Sequence, residues 1–164
     1  MKYIPITLTK EMWDLAEKRC KNMPKYKDSL NNGKDKIIGA MGVIISEIYY
    51  KGSTFADTSE YDIIYNNKTI EIKSRTLEKR PSPYVEFLLP KLRKQNSDYY
   101  LFCGISRKNN IGWILGYLPR DEVFEKAQFI EAGVKVGNLD ETKKPNYLLN
   151  FGQFKQADSL QFIV

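Results

Sequence analysis

Hydrophobic and polar positions along this chain change rhythm several times, and each rhythm predicts an element. Residues 2–8 (KYIPITL) alternate well enough for a strand, and Thr9 with Glu11 two residues on marks a helix start with Thr9 as the capping side chain. That helix extends to Met23, where Pro24 ends it. Residues 25–33 are a polar connection closing on Asn-Asn-Gly. Residues 34–50 (KDKIIGAMGVIISEIYY) are apolar nearly all the way round, the pattern of a helix packed on more than one side. Strands are expected over 60–65, 69–75, 84–89, 98–106 and 111–118, divided by Asn-Asn and Pro/Ser signals. A short helix is expected at 89–96, and another at 119–126, where Pro comes early and acids fill the first turn. After Gly133 the pattern lapses into an irregular tail, with a last strand at 160–164. No repeat or linker divides the chain, so residues 1–164 read as one domain of the α/β class, a central mixed β-sheet flanked by helices.

Composition narrows what such a domain can do. The chain is 42% hydrophobic and 28% charged, which suits a globular protein rather than a disordered or fibrous one. No apolar run approaches the ~20 residues of a spanning helix, and the first residues lack a signal-peptide core, so a cytoplasmic setting is expected with no membrane partner. Cys20 and Cys103 lack metal or redox spacing and read as reduced, buried thiols. Histidine is absent, which excludes His-dependent triads and most zinc hydrolases. Acid–base or metal chemistry therefore falls to carboxylates and lysines. The net charge of +6 favours a polyanionic partner, nucleic acid above all.

The segment YDIIYNNKTIEIKSR (61–75) concentrates the candidate chemistry. Asn66-Asn67 suits a two-residue type I′ turn, because Asn tolerates positive φ. The register then sets Tyr65 against Lys68, Ile64 against Thr69, Ile63 against Ile70 and Asp62 against Glu71. Like charges placed directly opposite each other destabilise a sheet, so a compensating charge is expected, and Mg²⁺ held by one or two carboxylates would supply it. Lys73 shares a face with Glu71 and could orient a water or meet charge on a phosphate; as a bland alternative it faces Glu60 in a surface ion pair. Glu47 is the one acid between Asp35 and Asp57, inside the apolar helix, so it must snorkel, neutralise or join a polar site with Asp62 and Glu71. Arg75, Lys79, Arg80, Lys91, Arg93 and Lys94 follow the hairpin against only Glu78 and Glu86, a cluster suited to phosphates. Tyr84 and Phe87 could stack on bases, although strand aromatics are more often core.

Taken together, Glu47, Asp62 and Glu71-Ile72-Lys73 resemble the PD-(D/E)xK nuclease superfamily, in which a helix carries an acid, one strand an Asp and the next an acid-x-Lys. The wider chain, from IPITLTKE through IIGAMG to DYYLFCGIS and GWILGYLPRDEVF, is similar to small stand-alone phage and bacterial members. Relatives often place the helical Glu directly after the second Gly of a GxxG run; that position is Val43 here, with Glu47 one turn further along the same face. The resemblance implies a restriction-endonuclease-like core of order αβββαβ and a nuclease, favoured as an endonuclease, that hydrolyses phosphodiester bonds with Mg²⁺ or Mn²⁺. It implies DNA before RNA as partner, and a homodimer is compatible with it. Asp62, Glu71 and the Ile72 main-chain carbonyl would bind metal, Glu47 a second metal or the first, Lys73 would position the attacking water, and Gln95 would support the site. The alternative is a non-catalytic nucleic-acid-binding module that keeps the fold.

Overall fold

Asn66 and Asn67 adopt φ of 49° and 58°, and the turn they form sets Tyr65 opposite Lys68, Ile64 opposite Thr69 and Ile63 opposite Ile70. This is the register that a two-asparagine turn dictates. The computed structural model describes residues 2–22, 35–56, 58–90, 96–136 and 142–163. In chain order these form β1 (Ile4–Thr7), α1 (Lys10–Asn22), α2 (Lys36–Tyr49), β2 (Thr54–Phe55), β3 (Ile63–Tyr65), β4 (Lys68–Thr76) and β5 (Glu86–Pro90). There follow β6 (Tyr99–Ser106), β7 (Ile111–Pro119), α3 (Arg120–Lys126), β8 (Gln128–Ile130), β9 (Asn146–Asn150) and two 3₁₀ turns, Phe151–Gln153 and Ala157–Phe162. The protein is mixed α/β, with a six-stranded sheet ordered β1-β7-β6-β4-β3-β2 and a three-stranded sheet ordered β5-β9-β8. In the larger sheet β4 and β6 run parallel and the other neighbours antiparallel.

Thr9 caps α1 through its Oγ1, which accepts the Met12 N–H at 3.3 Å. Helix α2 contains glycines and many β-branched residues, poor helix formers, so packing must hold it. It is covered on both sides: Met41 and Ile45 are fully buried, each burial worth roughly 1.5–3 kcal/mol. One side meets α1 and the other meets β4 and β6. A Cβ on Gly42 would lie 1.8 Å from Ser74 Oγ of β4, so a bare α-carbon is what lets the helix seat this close. The two faces of the large sheet carry separate cores. Ile70 and Ile72 of β4 pack with α2, whereas Tyr100 and Phe102 of β6 pack with Phe87 and Leu89 of β5, Val123 of α3 and Leu149 of β9.

Several expectations are corrected. The first hairpin strand starts at Ile63 rather than residue 60, because the chain leaves the sheet edge at Asp62. Leu89 and Pro90, expected to open a helix, finish β5; residues 91–95, which include Lys91, Arg93, Lys94 and Gln95, lie outside the described residues, as does the whole 25–33 connection. The tail after Gly133 is not irregular throughout, since Asn146–Asn150 form the central strand of the small sheet, paired with both β5 and β8. Residues 160–163 form no strand, and Val164 lies outside the described residues; Ala157–Phe162 is a 3₁₀ turn whose Ala157 and Leu160 are buried and whose Ala157 carbonyl accepts the Tyr50 hydroxyl at 2.8 Å. Phe87 is core and Tyr84 is 86% exposed, and Cys20 is only partly buried whereas Cys103 is fully so. None of the described helices is long and apolar enough to cross a membrane.

Replacing Gly42 with Ala should force α2 off β4 and cost about 1–3 kcal/mol, the usual penalty of overpacking. Urea denaturation of Gly42→Ala, Ser74→Ala and the double variant checks this. The double variant should recover part of the loss, because the Oγ that the new Cβ meets is gone.

Candidate functional site

Asp62 sits where the hairpin opens. Its N–H donates to the Ile70 carbonyl at 2.9 Å, so residues 62 and 63 both stand against Ile70, the signature of a β-bulge. Asp62 is therefore not directly opposite Glu71, as uniform pairing had predicted. Instead its Oδ2 accepts the Ile72 N–H at 2.7 Å, the donor that a longer β3 would have taken. The approach to Asp62 is held by Thr58, whose Oγ1 accepts the N–H groups of Glu60 (3.2 Å) and Tyr61 (3.0 Å) and donates to the Tyr61 carbonyl (2.8 Å). Because the amide and carbonyl of one strand residue point to the same side, the Ile72 carbonyl also faces the edge where Asp62 lies.

Glu71 and Lys73 occupy the face of β4 opposite Ile70 and Ile72, and their parallel partners on β6 are Tyr100 and Phe102. Glu71 is only 5% exposed. Its Oε1 accepts from Lys73 Nζ at 2.7 Å, and the ammonium also lies 6.0 Å from the centre of the Tyr100 ring. Lys73 thus pairs within its own strand rather than with Glu60. A charge-assisted bond between two largely buried groups offsets the cost of desolvating both. Asp62 acts electrostatically across the sheet as well. Burial pushes the Cys103 thiol up to about 12, with the Ser46 hydrogen bond opposing and the Asp62 charge adding to the rise. Cys103 is consequently a neutral, inert thiol near pH 7.

Glu47 is partly buried and held by an arginine. Arg19 of α1 donates to both of its carboxylate oxygens, NH1 to Oε2 and NH2 to Oε1 at 3.4 Å, and the same guanidinium lies 4.0 Å from the centre of the Phe55 ring. Phe55 is the cross-strand partner of Ile63, so Glu47 stands at the edge that presents Asp62, but on the α2 side of the sheet. Sequence reasoning missed Arg19, because nothing in the spacing of a basic residue on α1 announces its packing against α2. Of the basic cluster, Lys79 and Arg80 are exposed. Arg75 is turned inward, its NH1 donating to the Glu86 carbonyl of β5, and burial lowers its pKa.

On β4, Lys73 is thus bonded to Glu71 on one face while the intervening Ile72 amide is bonded to Asp62, and Glu47 is engaged with Arg19. Hard oxygen donors from two carboxylates and a carbonyl fit Mg²⁺ or Mn²⁺, which accept one or two carboxylates and keep several waters. Among the described residues no three acidic, Cys or His side chains assemble as a metal-holding group.

Removing Lys73 alone should be costly, since it leaves Glu71 buried beside no ammonium. Lys73→Met is expected to lower stability by about 3–5 kcal/mol, and Glu71→Leu with Lys73→Met by much less. Chemical denaturation of the two variants measures the difference.

Set against known proteins, the chain matches no family model and no curated protein. What the site does is read from its own residues.

Proposed function

We propose that this protein is a Mg²⁺- or Mn²⁺-dependent nuclease that hydrolyses phosphodiester bonds in DNA, as an endonuclease on a restriction-endonuclease-like core. The observations that support the reading are the Asp62 carboxylate bonded to the Ile72 amide and, on the two residues that flank Ile72, Lys73 bonded to Glu71. The order of elements supports it: α2, the antiparallel β2-β3-β4 meander, then β6 parallel to β4, as the αβββαβ core requires. The second helix of that core was expected at 89–96, where only Leu89, Pro90 and Asn96 are described.

In this reading Asp62, Glu71 and the Ile72 carbonyl hold the ion, which when bound polarises the phosphate and makes a bound water acidic. The bulge fixes the Asp62 carboxylate on the Ile72 amide, so one oxygen is oriented before any ligand arrives. Lys73 keeps an ammonium within 2.7 Å of Glu71, where it can position the attacking water and stabilise negative charge on the phosphate. Glu47 contributes through a second ion, or by tuning the first, only if Arg19 yields it. Burial between the sheets keeps Glu71 and Lys73 rigid, which favours positioning over flexibility.

A second reading has its own support. Glu47, Asp62 and Glu71 each already have a donor from the protein itself, Arg19, the Ile72 N–H and Lys73, so the fold stands without a metal. That is what a non-catalytic nucleic-acid-binding module requires.

Two measurements separate the readings. For the nuclease, Mg²⁺ or Mn²⁺ at about 100 times its Kd should raise Tm by roughly 5–10 °C, and Asp62→Asn should remove the shift. Purified protein should cleave DNA only with divalent metal, Glu71→Ala should abolish cleavage, and Lys73→Met should lower kcat about 10²–10⁴-fold. Equal trace activity in wild type and Glu71→Ala on every nucleic acid tried, with no metal shift in Tm, returns the module.

A further inference from the structure

The hairpin turn at Asn66-Asn67 and the 3₁₀ turn Ala157–Phe162 lie far apart in sequence and side by side in space. Ala157 and Leu160 pack on the α2 side of the large sheet, the Tyr50 hydroxyl bonds the Ala157 carbonyl, and the Ile163 N–H closes the turn on the Leu160 carbonyl at 3.4 Å. Asn66 Nδ2 donates across the gap to the Ile163 carbonyl at 3.5 Å. Between the two turns runs a groove of about 700 Å³, lined by Asn66, Asn67, Lys68, Gln161, Phe162 and Ile163. Its size falls in the range of roughly 300–1,000 Å³ usual for small-ligand sites.

The groove is apolar in its wall and uncommitted in its polar groups. Burial of Leu160 leaves Phe162 80% exposed, and among the described residues its ring meets no other ring. Lys68 is the one charge in the lining; it makes no ion pair, and the side-chain amides of Asn67 and Gln161 make no hydrogen bond, among the described residues. The acids on the neighbouring segments are engaged elsewhere, Asp158 with Lys2 and Asp98 with Thr69. Lys68 has the strand parity of Ile70 and Ile72, so the groove opens on the α2 side of the hairpin, whereas Glu71 and Lys73 stand on the other face. The two places are about 10 Å apart along β4, from the rise of three strand residues.

We infer that this groove holds one unpaired nucleotide of a single DNA strand, with its base stacked on Phe162, the base edge met by the amides of Asn67 and Gln161, and its phosphate on Lys68. An exposed ring stacks on any base, and an amide offers both a donor and an acceptor to a base edge. One ammonium matches the single charge of a backbone phosphodiester. The lining has no glycine and no second cation with which to cradle the clustered charges of a free nucleoside di- or triphosphate, so a strand is the occupant. Only a base released from its partner and its stack can reach the ring, so the strand is single. The inference rests on the proposed function for the choice of DNA as the polymer, and it holds whether or not the protein cleaves that strand.

Fluorescence anisotropy in EDTA separates base contacts from charge, using a fluorescein-labelled 12-nucleotide single strand of mixed sequence and an equally long strand of abasic sites. Phe162→Ala should weaken binding of the base-bearing strand at least about fivefold and leave the abasic strand within about twofold, and Phe162→Trp should restore the affinity. Lys68→Gln should weaken both strands and lower the slope of log K against log salt by about 0.7. Lys135→Gln, at an exposed position outside the groove, should change Kd less than about twofold. Asn67 has φ of 58°, so Asn67→Gly removes the amide and keeps the turn; combined with Gln161→Ala it should cost the base-bearing strand alone at least about threefold. Equal affinity of wild type for the two strands, wild-type affinity in Phe162→Ala, or dAMP and dTMP that bind more tightly than the strand overturns the groove as a strand site. Metal-dependent cleavage alongside any of those results sinks the groove alone. Base-dependent binding that needs Phe162 and Lys68, with no cleavage under Mg²⁺ or Mn²⁺, sinks the nuclease reading and leaves the groove standing.

Discussion

The hydrogen bond from the Ile72 N–H to Asp62 Oδ2 governs how the candidate site is built. A strand that keeps pairing offers its partner backbone only, whereas here a side chain takes over the ladder one residue after the strand bulges. The exchange costs little, because the Ile72 amide still has an acceptor. It ends β3 after three residues, brings a carboxylate to the edge of β4 and opens the side of the sheet toward which the Ile72 carbonyl points.

Around that bond the protein has to keep further negative charge in partly or fully dehydrated places, and it does so with cations from its own chain. Glu71 is held by Lys73 on the face of β4 opposite Ile70 and Ile72, and Glu47 by Arg19 between α1 and α2. A divalent ion entering the proposed site would share Glu71 with an ammonium already bonded to it, so binding energy and local charge rearrangement are linked. The close seat of α2 on β4, allowed by Gly42, sets which face of the helix meets the sheet and leaves Glu47 at the margin.

Much of the fold was legible where local chemistry is decisive. Two consecutive asparagines and a strict parity of isoleucines specify the hairpin, Thr9 specifies the start of α1, and the unbroken apolar surface of α2 announces that it is covered on both sides. Strands β8 and β9 escaped notice because they are short and are stabilised by each other and by β5, more than fifty residues before β9 in the chain, rather than by any pattern of their own. The same holds for the 3₁₀ turn at Ala157–Phe162. Its alternation looks strand-like, but burial of two residues and a bond from Tyr50 choose the turn.

The sequence by itself determined which residues could carry chemistry: with no histidine and no paired cysteines, only carboxylates, lysines and arginines remained, and the hairpin put Asp62 and Glu71 within a few residues of one turn. Tertiary structure decided what those residues touch. Whether Asp62 faces Glu71 or bonds the Ile72 amide depends on where β3 leaves the sheet. Whether Glu47 meets the site or Arg19 depends on how α1 lies on α2, and whether Arg75 faces phosphate or Glu86 depends on where the small sheet docks. The physical reason is range: turn geometry and strand parity act over a few bonds, whereas the partner of a buried charge is set by whichever distant element excludes water from it.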